Sequence, residues 1–106
     1  MPVVYRKLVR DRIPEVIQSE GCRPVTRVLD DASYRQALLA KLIEEPQEAS
    51  QATAADLPGE LADVLEVLRA LTVTASLSWP QLLALAEDKR SQRGGSGQRI
   101  FLESVE

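Results

Sequence analysis

Between Glu44 and Glu66 stand seven acids, Glu44, Glu45, Glu48, Asp56, Glu60, Asp63 and Glu66, and no lysine or arginine. A solvated helix face normally mixes the two signs, because like charges three or four residues apart repel by a few tenths of a kcal/mol per exposed pair and by more when buried. An unmixed cluster on otherwise apolar helices therefore points to a missing cation. Glu45 and Glu48 are three residues apart, as are Glu60 and Asp63, so each pair occupies one helix face with its members about 4.5 Å apart along the axis. In an antiparallel hairpin turning at Ala54, Glu45 stands level with Asp63 and Glu48 level with Glu60. Four converging carboxylates make a hard, all-oxygen site suited to Mg²⁺, with Mn²⁺ as a substitute, and two such ions about 4 Å apart could clamp a polyphosphate for in-line attack by water. Glu44 projects about 100° around the helix from Glu45, close enough to orient or deprotonate that water.

What the chain lacks narrows the chemistry further. It has no histidine and a single cysteine, Cys22. Histidine bases, Ser-His and Cys-His pairs, imidazole metal sites and cysteine zinc clusters are all excluded. A ferritin-like di-iron site, which draws on Glu-x-x-His motifs, is disfavoured for the same reason. Cys22 cannot form an intrachain disulfide and receives no role. The amino-terminal stretch carries Arg6, Lys7, Arg10 and Arg12 with no long apolar run behind it, so the expected setting is cytoplasmic, with no membrane partner.

The elements that must position these residues follow from the 106 residues, 44% apolar and 27% charged with a net charge of -3. One mostly all-α domain spanning residues 1–106 is expected, since leucine and alanine dominate and aromatics are few. Asp11 and Pro14 mark a helix start and Gly21 its stop. Arg23 to Leu29 reads as a short extended piece, paired with a terminal strand over Arg99 to Leu102. From Ala32 to Ala52 a helical stripe begins apolar and ends acidic, with a kink or break expected near residues 42 to 46 because Pro46 removes a backbone hydrogen bond. Asp56 and Pro58 open a second long helix, from about Leu57 to Ala75, apolar over most of its circumference and hence central. Ser78 to Gln81 fits a capping box for a third long helix to about Gln92. Gly94 to Gly97 is a flexible flap or a simple connector, lacking the pattern of a P-loop. Long helices need a neighbour to cover a second apolar stripe, so a homo-oligomer is expected.

The string Lys41-Leu42-Ile43-Glu44-Glu45-Pro46-Gln47-Glu48 followed by Glu60-Leu61-Ala62-Asp63 resembles the E-E-x-x-E…E-x-x-D signature of the all-α nucleoside triphosphate pyrophosphohydrolases, the MazG and phosphoribosyl-ATP pyrophosphohydrolase-like superfamily. The opening Lys7 to Pro14, the Val28 to Asp31 step and the ending Lys89 to Gly95 look like a small branch of it, so the likeness runs along nearly the whole chain. The resemblance implies hydrolysis of a nucleotide between its α and β phosphates, Mg²⁺ held by Glu45, Glu48, Glu60 and Asp63, and a homodimer or homotetramer of helical hairpins. Pro46 departs from the family's pattern. Lys41 in the motif string, and Lys89, Arg90 and Arg93 at helical spacing near the end of the last helix, are the candidate substrate-binding cations; Arg10 or Lys7 could serve from the other end. The cations of the last helix equally suit its carboxyl-terminal dipole. Phosphoribosyl-ATP is the alternative substrate, and a catalytically idle nucleotide- or protein-binding module the alternative role. Nucleic-acid binding is not expected, because the net charge is negative and the basic residues are not interleaved with aromatics.

Overall fold

A computed structural model describes residues 3–106 and contains four helices: α1 (Ile13–Ser19), α2 (Asp31–Gln51), α3 (Leu57–Thr74) and α4 (Trp79–Arg93). The all-α expectation holds. The terminal strands do not form, and no strand is present among the described residues. Val25, Val28, Ile100, Phe101 and Leu102 all stand exposed; a two-stranded ribbon is marginal without a covering layer, and neither segment has one.

Each helix end has its own chemistry. The α1 start has Arg12 at the cap position with no side-chain bond, so Asp11 does not cap it; Pro14 occupies the first turn as expected. Its end is a Schellman closure, with Gly21 at φ 84 and the N–H groups of Gly21 and Cys22 donating to the carbonyls of Gln18 and Ile17 at 3.0 and 3.2 Å. At α2 the Asp30 carboxylate accepts the Ser33 N–H at 2.8 Å, and that backbone bond, above all, holds the Asp30 carboxyl below the usual carboxylate range. Helix α3 differs from expectation because the Asp56 side chain does not cap it. The turn is built instead on Thr53, whose carbonyl accepts the N–H groups of Asp56 and Leu57 at 3.1 and 3.0 Å. At α4 the capping box is complete: Gln81 N–H donates to Ser78 Oγ at 3.2 Å and Ser78 N–H to Gln81 Oε1 at 2.8 Å.

Pro46 does not break α2, which runs unbroken from Asp31 to Gln51. Losing one backbone bond and crowding the preceding turn costs roughly 3 kcal/mol, but helices in proteins are held mainly by tertiary packing, and α2 lies packed along α3. These two helices, joined by residues 52–56, form the hairpin that carries the acidic residues. Its core is Leu38 and Val67, both nearly inaccessible; Thr72 is buried too, its hydroxyl donating to the Arg69 carbonyl at 2.6 Å. Helix α4 packs on α3 and not on α2; the Arg69 guanidinium, 4.7 Å from the centre of the Trp79 ring, pins that junction.

Helix α3 is central, as expected, but one side of it is uncovered. Leu57, Leu61 and Leu65, spaced by four, form an exposed stripe, and Ile43 of α2 is exposed as well. The chain is long for its mass: its radius of gyration is 18.1 Å, against about 13 Å for a compact domain of this length. No helix is long and apolar enough to cross a membrane among the described residues.

Candidate metal centre

Glu45 from α2 and Glu60 and Asp63 from α3 each present a carboxylate oxygen within 4.8 Å of the others, and all three residues are half-buried. The hairpin register brings Glu45 to the level of Asp63, as the sequence spacing requires. Glu48, the fourth expected ligand, is exposed and lies outside this trio. It is nonetheless near. After burial, which is the foremost cause, the Glu48 charge is the largest influence raising the Glu60 carboxyl above its ordinary range, followed by Asp63, Glu45 and Asp56.

Glu60 is the centre of the arrangement. Its Oε2 is buried and has no hydrogen-bond partner. A buried carboxylate oxygen without a donor is costly, because it has lost water and gained nothing in return. The other two carboxylates are compensated. Lys41 Nζ lies 3.2 Å from Glu45 Oε1, with both side chains largely buried, and Arg10 Nη2 lies 2.6 Å from Asp63 Oδ1 in a half-exposed pair. The cations missing from residues 44–66 thus come from outside that window: Lys41 from one turn upstream on α2, and Arg10 from the segment before α1. This chemistry fits a divalent cation. Three hard oxygen donors converge, one has no other partner, and the repulsion among them is what a positive ion would relieve.

The other expected site residues are distributed differently. Glu44 is exposed beside Glu45 and is not part of the trio, since one residue along a helix rotates it about 100° away. Lys41 reaches the acidic cluster. Lys89, Arg90 and Arg93 are not gathered there within the chain, because α4 leaves α3 without touching α2; Arg90 and Arg93 instead line a separate cleft with residues 94–100. Arg10 was legible only as one of two amino-terminal options for meeting phosphate. A surplus of acids in one segment and of bases in the first twelve residues was the available signal, and no local spacing could assign the partner.

No family model matches this chain, and no solved structure matches it. It is similar to an uncharacterised protein of Mycolicibacterium smegmatis (strain ATCC 700084 / mc(2)155), 52% identical over 50 residues, which are 47% of this chain and 51% of that protein; the chain spans about half the length of this curated relative.

Proposed function

We propose that this chain is a Mg²⁺-dependent nucleotide pyrophosphohydrolase in which water cleaves a nucleoside triphosphate between its α and β phosphates, releasing the monophosphate and pyrophosphate. The observation that carries this reading is the buried, partnerless Glu60 oxygen beside Glu45 and Asp63. Glu45, Glu60 and Asp63 would hold the metal, and Glu48, one turn along α2, would close the set. Mg²⁺ or Mn²⁺, when bound, supplies charge that offsets the carboxylates and polarises phosphate oxygens. Lys41 and Arg10, ion-paired to two of the ligands, are positioned to turn their donors onto phosphate oxygens, where a guanidinium binds two at once. Glu44, on the solvent side of Glu45, is the group to orient the attacking water. The motif likeness to the MazG and phosphoribosyl-ATP pyrophosphohydrolase-like superfamily supports the same reading.

The direct test incubates purified protein with nucleoside and deoxynucleoside triphosphates and phosphoribosyl-ATP in Mg²⁺, with product analysis. Pyrophosphate and the matching monophosphate are expected. No pyrophosphate from any of them, with calorimetry detecting no Mg²⁺ or Mn²⁺ binding, would overturn the reading; turnover of phosphoribosyl-ATP alone would narrow the substrate to that nucleotide. The lone free Cys22, exposed in this fold, is compatible with a reducing cytoplasmic setting.

We infer that the working unit is a homo-oligomer closed over the leucine stripe of α3. The chain exposes 9660 Å², against about 5,900 Å² for a compact monomer of 11.7 kDa. Extended end segments contribute to that excess, and Leu57, Leu61, Leu65 and Ile43 supply an apolar patch of the kind obligate dimers bury. Leu65→Glu should convert a dimer or tetramer into monomers in light scattering coupled to size exclusion. A wild-type chain that is monomeric at tens of micromolar would refute the assembly.

A further inference from the structure

The amino-terminal segment meets the carboxylate cluster through one short contact. Arg10 Nη2 lies 2.6 Å from Asp63 Oδ1, within the range of charge-assisted bonds. Little else ties that segment to the hairpin. Helix α1 packs on none of the other three helices, and within residues 3–12 Leu8 alone is half-buried while the rest stand exposed. Arg12, two residues on, makes no ion pair among the described residues.

The two cations at the cluster differ in how they are held. Lys41 stands on α2 itself, four residues before Glu45, and both members of that pair are largely buried. The helix keeps it in reach whatever else binds. The Arg10 pair is half-exposed at both ends, so water and salt ions replace either partner at little cost. A guanidinium grips a carboxylate best with two parallel N–H bonds, whereas Arg10 makes a single contact through Nη2. The loosely held cation therefore sits on one of the three carboxylates that converge around Glu60, whose Oε2 has no donor.

Two cations share one carboxylate at a loss, because each repels the other. A divalent ion at Glu45, Glu60 and Asp63 carries twice the charge of Arg10 and draws oxygens from three residues instead of one. The coupling is reciprocal: the factor by which the ion weakens the Arg10 bond is the factor by which that bond weakens the ion. We propose that Arg10 is a metal-released latch, which neutralises Asp63 while the cluster holds no ion and is displaced when a divalent cation binds, freeing the segment before α1. The latch rests on the metal-binding reading of the cluster and adds to it a change in the chain itself, readable without substrate.

Nitrogen-15 relaxation of the full chain, in EDTA and then in saturating Mg²⁺ at about 0.15 M salt, tests this, with calorimetric Mg²⁺ titration of the same samples. In wild type the backbone order parameters of Val9 and Arg10 should fall on Mg²⁺ addition to below about 0.6, the flexible range. Arg10→Gln and Asp63→Asn should show the low values already in EDTA. Arg10→Gln should bind Mg²⁺ about two- to fivefold more tightly than wild type, the scale of one exposed ion pair, while Arg12→Gln, which removes the same charge without breaking a bond, should stay within about 1.5-fold. Order parameters that are equal in EDTA and in saturating Mg²⁺ would overturn the latch, as would equal gains in affinity in Arg10→Gln and Arg12→Gln. Either result with Mg²⁺ bound leaves the metal centre standing; no binding of Mg²⁺ or Mn²⁺ by wild type removes the metal centre and the latch together.

Discussion

Glu60→Gln is expected to lower Mg²⁺-dependent turnover by about a thousandfold or more, the scale at which a metal clamp contributes to phosphate transfer, while raising the melting temperature of the metal-free protein. The two effects have one cause. Burial first, and then the charges of Glu48, Asp63, Glu45 and Asp56, hold the Glu60 carboxyl above its ordinary range, and its Oε2 has no donor. A group whose carboxyl is raised on folding opposes folding once it ionises: the penalty is absent below the unfolded value and fully present above the folded one. Melts in EDTA should therefore separate variant from wild type most at pH 8, and the two should converge as the pH falls below the ordinary carboxylate range. Glu45→Gln should also abolish turnover but should lower stability, because it strips the largely buried Lys41 of its partner. A Glu60→Gln variant that keeps Mg²⁺-dependent turnover would end the assignment of this centre.

The second large effect lies in the core. Leu38→Ala should cost about 2–5 kcal/mol, out of a total that for most domains is about 5–15 kcal/mol. Leu38 is 3% exposed and Val67 5%, and these two are the buried apolar side chains among the described residues. A cavity at position 38 thus falls where α2 meets α3, with few neighbours to collapse into it. Urea unfolding at fixed protein concentration reads the loss as a lower midpoint, the concentration being held because assembly adds its own term. The same truncation at Val28, 98% exposed, should leave the midpoint unchanged. A loss below about 1 kcal/mol at Leu38 would mean that this hairpin contact is not the core.

The hairpin was legible in the sequence because two signals agreed: the helical period of the leucines and the paired spacing of the acids. The pairing of Glu45 with Asp63 follows from them, as does the Ser78–Gln81 cap, whose partners are three residues apart. The features that escaped depend on distant or backbone groups. Asp11 and Asp56 have the composition of caps, yet the cap position of α1 falls on Arg12, Arg12 and Asp56 already have helical backbone angles, and the carbonyl of Thr53 does the work at α3. Pro46 carries a local cost that packing on α3 overrides. The strand expectation for Arg23–Leu29 and Arg99–Leu102 rested on local β-propensity, which cannot say whether a partner and a covering layer exist. The basic end of α4 could be read as a cluster, but its separation from α2 is set by the direction in which α4 leaves α3.

The bridge from Arg10 to Asp63 spans 53 positions along the chain, and it is half-exposed at both ends. Closing so long a loop is entropically expensive compared with folding a hairpin whose helices are joined by five residues. Helices α2 and α3 should therefore form first and open last in amide exchange, and the segment before α1 should dock afterwards and exchange separately, loosened by salt without disturbing the core.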